Sequence, residues 1–550
     1  MNTQLHFKQW SEKSLYKEEL YTLVDEADIQ DRFHRYVSFG TGGMRGKLGA
    51  GNNRINTHTI RLATEGLARH IAAHGEVTKL RGVVIAYDTR HFSQQFAYET
   101  AGVLAAHGIY SYVFTESRPT PELSFAVRYL AAYAGVVITA SHNPKQYNGF
   151  KVYGEDGAQL TPQFSAEIVR HMEAVESIFD IKALSKEDLL ASGFYTEILE
   201  KLDDAYAQAL RTLQANKPIN KELSIVYTPL HGSGLEPTVR GLKEYGFSNV
   251  HVVEQQAIQD SDFPTVVYPN PEEPDAFLLA MELGEKVKAE ILMATDPDAD
   301  RLGVAVFDNG EYKLLSGNQL GAMLLHYLLQ IKWIPVNAAM IKTIVTSEFG
   351  TAIANQYGVT TVNTLTGFKY IAEKIAEWEL TKEYTFLFGY EESYGYLAGD
   401  FVRDKDAVQI ALITAEMAGY YKGLGKTLSN VLQELYEQFG FYTEALVSLT
   451  FEGIEGQKRI ASIMGNVRKN PPTSIAHLNV LKVEDYVLGG VNGLPKADVV
   501  KLLLEEDTWI CIRPSGTEPK IKFYIGVKQP SLEHSNALIN QLKEAIKTLY

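Results

Sequence analysis

The 550-residue sequence predicts an α/β protein with largely parallel sheets, closed by a smaller α+β domain. Three observations carry that prediction. Short β-rich runs alternate with longer helical segments as far as residue 440. Several of those runs pass directly into polar or glycine-rich segments, which is where open α/β sheets place their ligand sites. Beyond 440 the design changes, with a strand-like run at 443–451 and an amphipathic closing helix at 532–549.

Taken in order, the candidate strands are 82–87, 134–139, 224–227, 290–294, 340–345 and 384–388. Each is apolar and short enough for a buried strand. Helical patterns lie between them, among them 63–73, 241–245 and 370–378. Five strands open onto polar segments: Asp88-Thr-Arg90, Ser141-His142, His231-Gly-Ser-Gly234, Asp296 to Arg301, and Gly389-Tyr-Glu-Glu-Ser393. Polar, turn-forming boundaries divide the chain into 1–215, 216–308, 309–440 and 441–550, the first three α/β. The cut at 308 rests on Asp308-Asn-Gly310, read as a turn before a helix-rich block.

Composition narrows the function. The net charge of −15 argues against a nucleic-acid partner, because phosphate backbones are held by positive surface. The lone Cys511 cannot form an internal disulfide and fits a reducing compartment. The first ten residues lack the apolar core of a signal peptide. The most apolar helical stretch, 320–334, carries His326, Gln330 and Lys332 and is not expected to span a bilayer. The expectation is a cytoplasmic enzyme with no membrane partner.

Three motifs carry chemistry. Thr139-Ala-Ser-His-Asn-Pro144 sets Ser141 where a buried strand ends, displayed on a loop broken by Asn-Pro, and Lys151 can return a cation to the same place. Asp296, Asp298 and Asp300 alternate with Pro297 and Ala299, so one turn can aim three hard oxygen ligands at one point. Such a set selects magnesium, manganese or calcium over zinc; the EF-hand pattern fails because its sixth and twelfth positions hold Arg301 and Phe307. Arg513-Pro-Ser-Gly-Thr517 offers a guanidinium, two hydroxyls and backbone donors around a glycine, a nest suited to phosphate.

Weaker signals surround these. Gly40-Thr-Gly-Gly-Met-Arg45-Gly46 follows no β-rich run, so it reads as a flexible loop carrying Arg45 to an anion rather than as a dinucleotide fingerprint. Glu391, Glu392 and Ser393 follow an apolar strand and suit sugar hydroxyls as well as a salt-bridged loop. Asp404-Lys405-Asp406 alone reads as a solvated charge run. His231 reads as a histidine satisfying a turn backbone.

Together these residues resemble the α-D-phosphohexomutase superfamily and, within it, the phosphoglucomutases. The resemblance runs from Phe39-Gly-Thr-Gly-Gly-Met-Arg-Gly46 to the Arg513 loop. It implies four domains around a central cleft and a phosphotransferase acting on small sugar phosphates. Ser141 would be the phosphoserine, and with Asp296, Asp298 and Asp300 it would hold Mg2+. Arg45, His142, Lys151 and Arg301 would surround the transferring group, with Lys151 a candidate proton shuttle. Arg513, Ser515, Gly516 and Thr517 would bind the phosphate that is not reacting. Glu391 and Ser393 would grip the sugar, joined by Lys405 and by Thr366, Gly367 and Lys369 of a Thr-Gly-Phe-Lys loop close to the Thr-Gly-Trp-Lys of glucose-handling members. The implied reaction interconverts glucose 1- and 6-phosphate, with glucose 1,6-bisphosphate as intermediate and activator. Mannose or pentose phosphates are the alternative substrates. A magnesium-dependent phosphatase or a non-catalytic sensor are the alternative classes.

Overall fold

All six apolar runs are strands, within one to three residues of the expected bounds at either end. The computed structural model describes residues 2–550 except Thr41, Asn216, Glu452 and 516–519, and leaves out the side chains at 453 and 454. The chain forms two compact units: Met1–Ser316 with Ala372–Lys382 and Ser393–Leu424, and Gly317–Ile371 with Glu383–Glu392 and Gly425–Tyr550.

The first unit holds two sheets. In the larger, Ala134–Ile138, Val83–Tyr87, Ser111–Phe114 and Tyr195–Ile198 run parallel, each next to the one before. Tyr147–Gly154 pairs antiparallel with Ala134–Ile138, and Gly43–Lys47 antiparallel with Tyr147–Gly154. Ala134–Ile138 and Val83–Tyr87 are buried at every position, as continuous apolar runs covered on both faces must be.

Gly43–Lys47 corrects the flexible-loop expectation, since Arg45 stands on a paired strand. A Cβ at Gly43 would come 2.9 Å from Lys151 Cα, so glycine there permits the close pairing. Its alternation is short and glycine-rich, which hid the strand from a periodicity argument.

The second sheet runs Glu311–Leu314, Leu302–Asp308, Ile291–Thr295, Ile225–Thr228, Val250–Val252. Its last three strands are parallel and its first two form an antiparallel hairpin. Asn309 and Gly310 have φ of 50° and 94°, the left-handed pair that a two-residue hairpin turn demands. The expected boundary at 308/309 therefore falls inside one sheet.

The helix Ala407–Gly423 falls in the first unit. It is apolar all round and packs on the helix Leu235–Glu244, where a Cβ on Gly241 would meet Leu412 at 2.9 Å. Asp406 caps it, accepting from Gln409 N at 3.0 Å and from Tyr206 OH at 2.8 Å. Burial nevertheless raises the Asp406 carboxyl to about 6. A carboxyl raised on folding contributes stability that is full below its unfolded value near 3.8 and is lost as pH rises through 6. Asp406→Asn keeps the cap without the titration. The variant should therefore gain about 2 kcal/mol on wild type between pH 4 and pH 7 by denaturant titration, and an unchanged difference would contradict this.

In the second unit Thr360–Thr364, Ala338–Thr343 and Thr385–Glu391 are parallel. The final domain is an antiparallel sheet, Phe441–Thr450, Lys520–Gln529, Trp509–Pro514, Val500–Leu504, Leu478–Asp485, Ser474–Ile475, packed on the helix Leu532–Ala545. The apolar stretch near 320–334 forms the buried helix Gly317–Ile331. Among the described residues no helix is long and apolar enough to cross a membrane.

Candidate active site

The buried strand Ala134–Ile138 delivers Thr139 to Pro144 to the carboxyl edge of its sheet. Ser141 sits there at φ 51°, a left-handed conformation that costs a side-chain-bearing residue of order 1 kcal/mol and persists only when its surroundings enforce it. Arg90 enforces it. Its guanidinium donates to the carbonyls of Ser141 and Asn143, to Pro144 O at 2.9 Å and to Tyr147 O at 3.1 Å. Asp88, paired with Arg90 at 3.2 Å, accepts from Thr139 Oγ1 at 2.6 Å, and Thr139 Oγ1 accepts from Ser141 N at 2.8 Å. Both members of the pair have fully buried side chains.

The turn after Ile291–Thr295 brings the aspartates together. Asp296, Asp298 and Asp300 are buried, with a carboxylate oxygen from each within 4.8 Å of the others. Asp296 Oδ1 accepts from the backbone N–H groups of Asp300 and Arg301, both at 3.1 Å, which curls the turn. Its Oδ2 accepts from Ser141 Oγ at 2.6 Å. Asp298 Oδ2 accepts from Thr120 Oγ1 at 2.8 Å and from Lys151 Nζ at 3.0 Å. Asp300 Oδ2 lies 3.1 Å from Lys405 Nζ and 3.6 Å from Lys151 Nζ.

Charge is concentrated accordingly. Burial, then repulsion from Asp298 and Asp300, pushes the Asp296 carboxyl well above its usual range. Burial acts the same way on Asp298, but Lys151 and Thr120 outweigh it and hold that carboxyl far below the usual range. His142 Nδ1 lies 3.2 Å from Ser141 Oγ. Burial, with Arg301 and Arg45 nearby, holds its imidazole well below 6.5 and therefore neutral.

These donors fit a hard divalent cation. All are carboxylates, and Asp298 Oδ1 and Asp300 Oδ1 are buried with no hydrogen-bond partner among the described residues. Lys151 and Lys405 already bring compensating positive charge to the same group.

The other expected residues are placed variously. Arg45 donates to Asn143 Oδ1 at 2.8 Å, beside the serine loop. It lies opposite Gly149, and so on the sheet face that also carries Lys151. The Arg301 guanidinium pairs with Glu272. Lys405 corrects the solvated-run reading, since Asp404, Lys405 and Asp406 are withdrawn from solvent and Tyr153 OH donates to Asp404 Oδ2 at 2.7 Å. His231 is structural, donating from Nδ1 to Ile258 O and accepting at Nε2 from Thr265, both at 2.8 Å.

The second unit carries the remaining expected residues except Ser393, which lies in the first. Glu391 ends the strand Thr385–Glu391, and its Oε1 accepts from Gly367 N at 2.8 Å. Gly367 has φ 122°, which disfavours any other residue there. Thr366 adjoins it, and Lys369 is buried with its Nζ 5.2 Å from the Tyr370 ring centroid. Arg513 lies one residue from the end of Trp509–Pro514, and Ser515 N donates to Lys520 O at 2.8 Å. Gly516 and Thr517 lie outside the described residues.

Sequence reasoning missed Arg90 and Asp88 as the serine-loop clamp, and Thr120 and Glu272 as partners of Asp298 and Arg301. Asp88-Thr-Arg90 did signal its place at a strand end; Thr120 carried no local signal.

Sequence profiles described as phosphoglucomutase/phosphomannomutase, alpha/beta/alpha domains I, II and III, match residues 36–178, 204–310 and 316–439. The chain belongs to this family. It is 40% identical over 512 residues to the phosphoglucomutase of Staphylococcus haemolyticus strain JCSC1435, covering 91% of this chain and 92% of that one. With the phosphoglucomutase of Staphylococcus aureus strain MRSA252 it shares 40% identity over 531 residues, 94% of each chain. A putative phosphomannomutase from Thermus thermophilus shares the fold at TM-score 0.71 and 23% identity, over 93% of this chain and 98% of that one. The domain II match ends at 310 and the domain III match begins at 316, so the matches also part after the Asn309-Gly310 hairpin turn.

Proposed function

We propose that this phosphotransferase interconverts α-D-glucose 1-phosphate and glucose 6-phosphate in the cytoplasm through phosphorylated Ser141. The observation that carries the reading is Ser141 Oγ held 2.6 Å from Asp296 inside a buried aspartate triad. The 40% identity to two phosphoglucomutases favours glucose over mannose or pentose.

Phosphoryl transfer needs alignment and charge compensation more than covalent help. A sugar hydroxyl oxygen forms a bond to phosphorus while the bond from phosphorus to Ser141 Oγ breaks, giving glucose 1,6-bisphosphate. Lys151, a cation beside Asp298 and Asp300, is the proton shuttle in this reading: it gives a proton to the departing Ser141 Oγ and regains one from the attacking hydroxyl. The reverse transfer from the other phosphate of the bisphosphate restores the phosphoserine. Asp296, Asp298 and Asp300, with a phosphoserine oxygen, would hold Mg2+, which neutralises charge as the P–O bond loosens. Arg45, Lys151 and Lys405 add positive potential where water is largely excluded. Neutral His142 sits against the Ser141 oxygen, and Arg301 serves there once it exchanges Glu272 for phosphate. Glu391, Ser393, Thr366, Gly367 and Lys369 grip the sugar. Arg513, Ser515, Gly516 and Thr517 hold the phosphate that is not reacting.

The deciding assay offers glucose, mannose, ribose and N-acetylglucosamine 1-phosphates with magnesium and a trace of bisphosphate. Glucose 6-phosphate should dominate; free phosphate without sugar 6-phosphate would make the protein a hydrolase instead. Chelation should abolish turnover and magnesium should restore it, whereas full activity in excess EDTA would remove the metal from the reading. Arg513→Ala should raise KM by about tenfold or more, one lost charge-assisted contact, with Ser141 still phosphorylated. An unchanged KM would remove the holding seat.

A further inference from the structure

A second cluster of metal-ligating side chains lies on the first unit, where the helix Thr57–Ala73 crosses Pro162–Glu173. The helices approach closely at Gly66, whose Cβ would stand 2.9 Å from Ile168 O. One turn further along, that approach brings His70 against Glu167, with His70 Nδ1 3.3 Å from Glu167 Oε2. His74 follows His70 by four residues and so shares its helix face. Their ring centroids are 4.5 Å apart, and His171 lies 6.5 Å from His70.

We propose that His70, His74 and Glu167 form a binding site for a borderline divalent transition ion, Zn2+ above Mg2+, separate from the aspartate triad. One ligand atom from each lies within 4.8 Å of the other two. Tetrahedral zinc with bonds near 2.0–2.1 Å spaces its ligands about 3.3 Å apart, so side-chain rotations of about an ångström close the set. The hydrogen bonding already selects a ligand-competent tautomer. His74 Nδ1 lies 2.8 Å from the His70 carbonyl oxygen, which can only accept, so Nδ1 carries the proton and Nε2 keeps its lone pair. That bond also orients the ring, as the outer partner of a metal-bound histidine does. A cation would sit between His70 Nδ1 and Glu167 Oε2, which already lie 3.3 Å apart. Nitrogen donors with one carboxylate select zinc, whereas the all-oxygen triad selects magnesium. His74 and Glu167 are open enough to solvent for an ion to enter.

The test titrates Zn2+ into the full chain, with excess Mg2+ to occupy the aspartates, and follows binding by competition with a zinc indicator. One equivalent should bind, with affinity falling in acid, because the metal must displace protons from its histidine ligands. His70→Ala and His74→Ala should each weaken binding at least tenfold, whereas Asp298→Asn should leave it unchanged. Co2+ should give the visible absorption of a nitrogen-ligated site in wild type and lose it in His74→Ala. Both histidines lie on a partly solvated helix end, so thermal melting of the variants should stay close to wild type and separate ligand loss from unfolding. Retained affinity in the double variant His70→Ala/His74→Ala, or zinc lost on Asp298→Asn instead, would overturn the site.

Discussion

Replacing Ser141 by alanine is expected to lower mutase turnover by at least about a thousandfold, the scale on which removing a covalent nucleophile acts. The loss should appear in kcat, because the residues proposed to hold the sugar and its distal phosphate are untouched. Intact-mass measurement after incubation with glucose 1,6-bisphosphate should show one phosphate on wild type and none on the variant. Stability should change little, since alanine meets the same left-handed backbone and loses the Oγ hydrogen bonds to Asp296 and His142. Each such loss costs about 1 kcal/mol. A variant that turns over within tenfold of wild type would sink the phosphoserine mechanism, whatever the fate of Asp296.

The second large effect belongs to Arg90, which touches no substrate in this reading. Arg90→Ala should cost about 3–5 kcal/mol, because it strands a buried Asp88 carboxylate and four carbonyls of the serine loop. Arg90→Lys separates positioning from stability. Lysine keeps the charge beside Asp88 but lacks the planar fork that serves several carbonyls at once. It should retain most of the denaturant midpoint while kcat falls more than tenfold and KM holds. An Arg90→Ala midpoint equal to wild type, or Arg90→Lys with full kcat, would show that Ser141 keeps its conformation without the clamp.

Much of this was legible because it is local. A run of buried β-branched residues ending in Thr-Ala-Ser-His-Asn-Pro announces a strand and a displayed serine. Alternating aspartates around Pro297 and Ala299 announce a turn of hard ligands. What failed locally was the strand carrying Arg45, where glycines replace the alternating pattern, and the charge run at 404–406, whose burial depends on Tyr153, Tyr206 and Asp300 far away in sequence. The turn at Asn309-Gly310 was read as a turn, but nothing near it says that both of its strands belong to one sheet.

By itself, the sequence determined the local pieces: a serine at the end of a buried strand, three closely spaced carboxylates, and alternating strands and helices to hold them. Each rests on contacts between residues close in the chain, which side-chain type and spacing already specify. Only the tertiary structure decided which of them meet. Ser141 and Asp296 stand 155 residues apart and share a 2.6 Å hydrogen bond, and Thr120 reaches Asp298 across 178. Such pairings follow from how whole sheets pack, a property of the summed burial of many residues rather than of any local stretch.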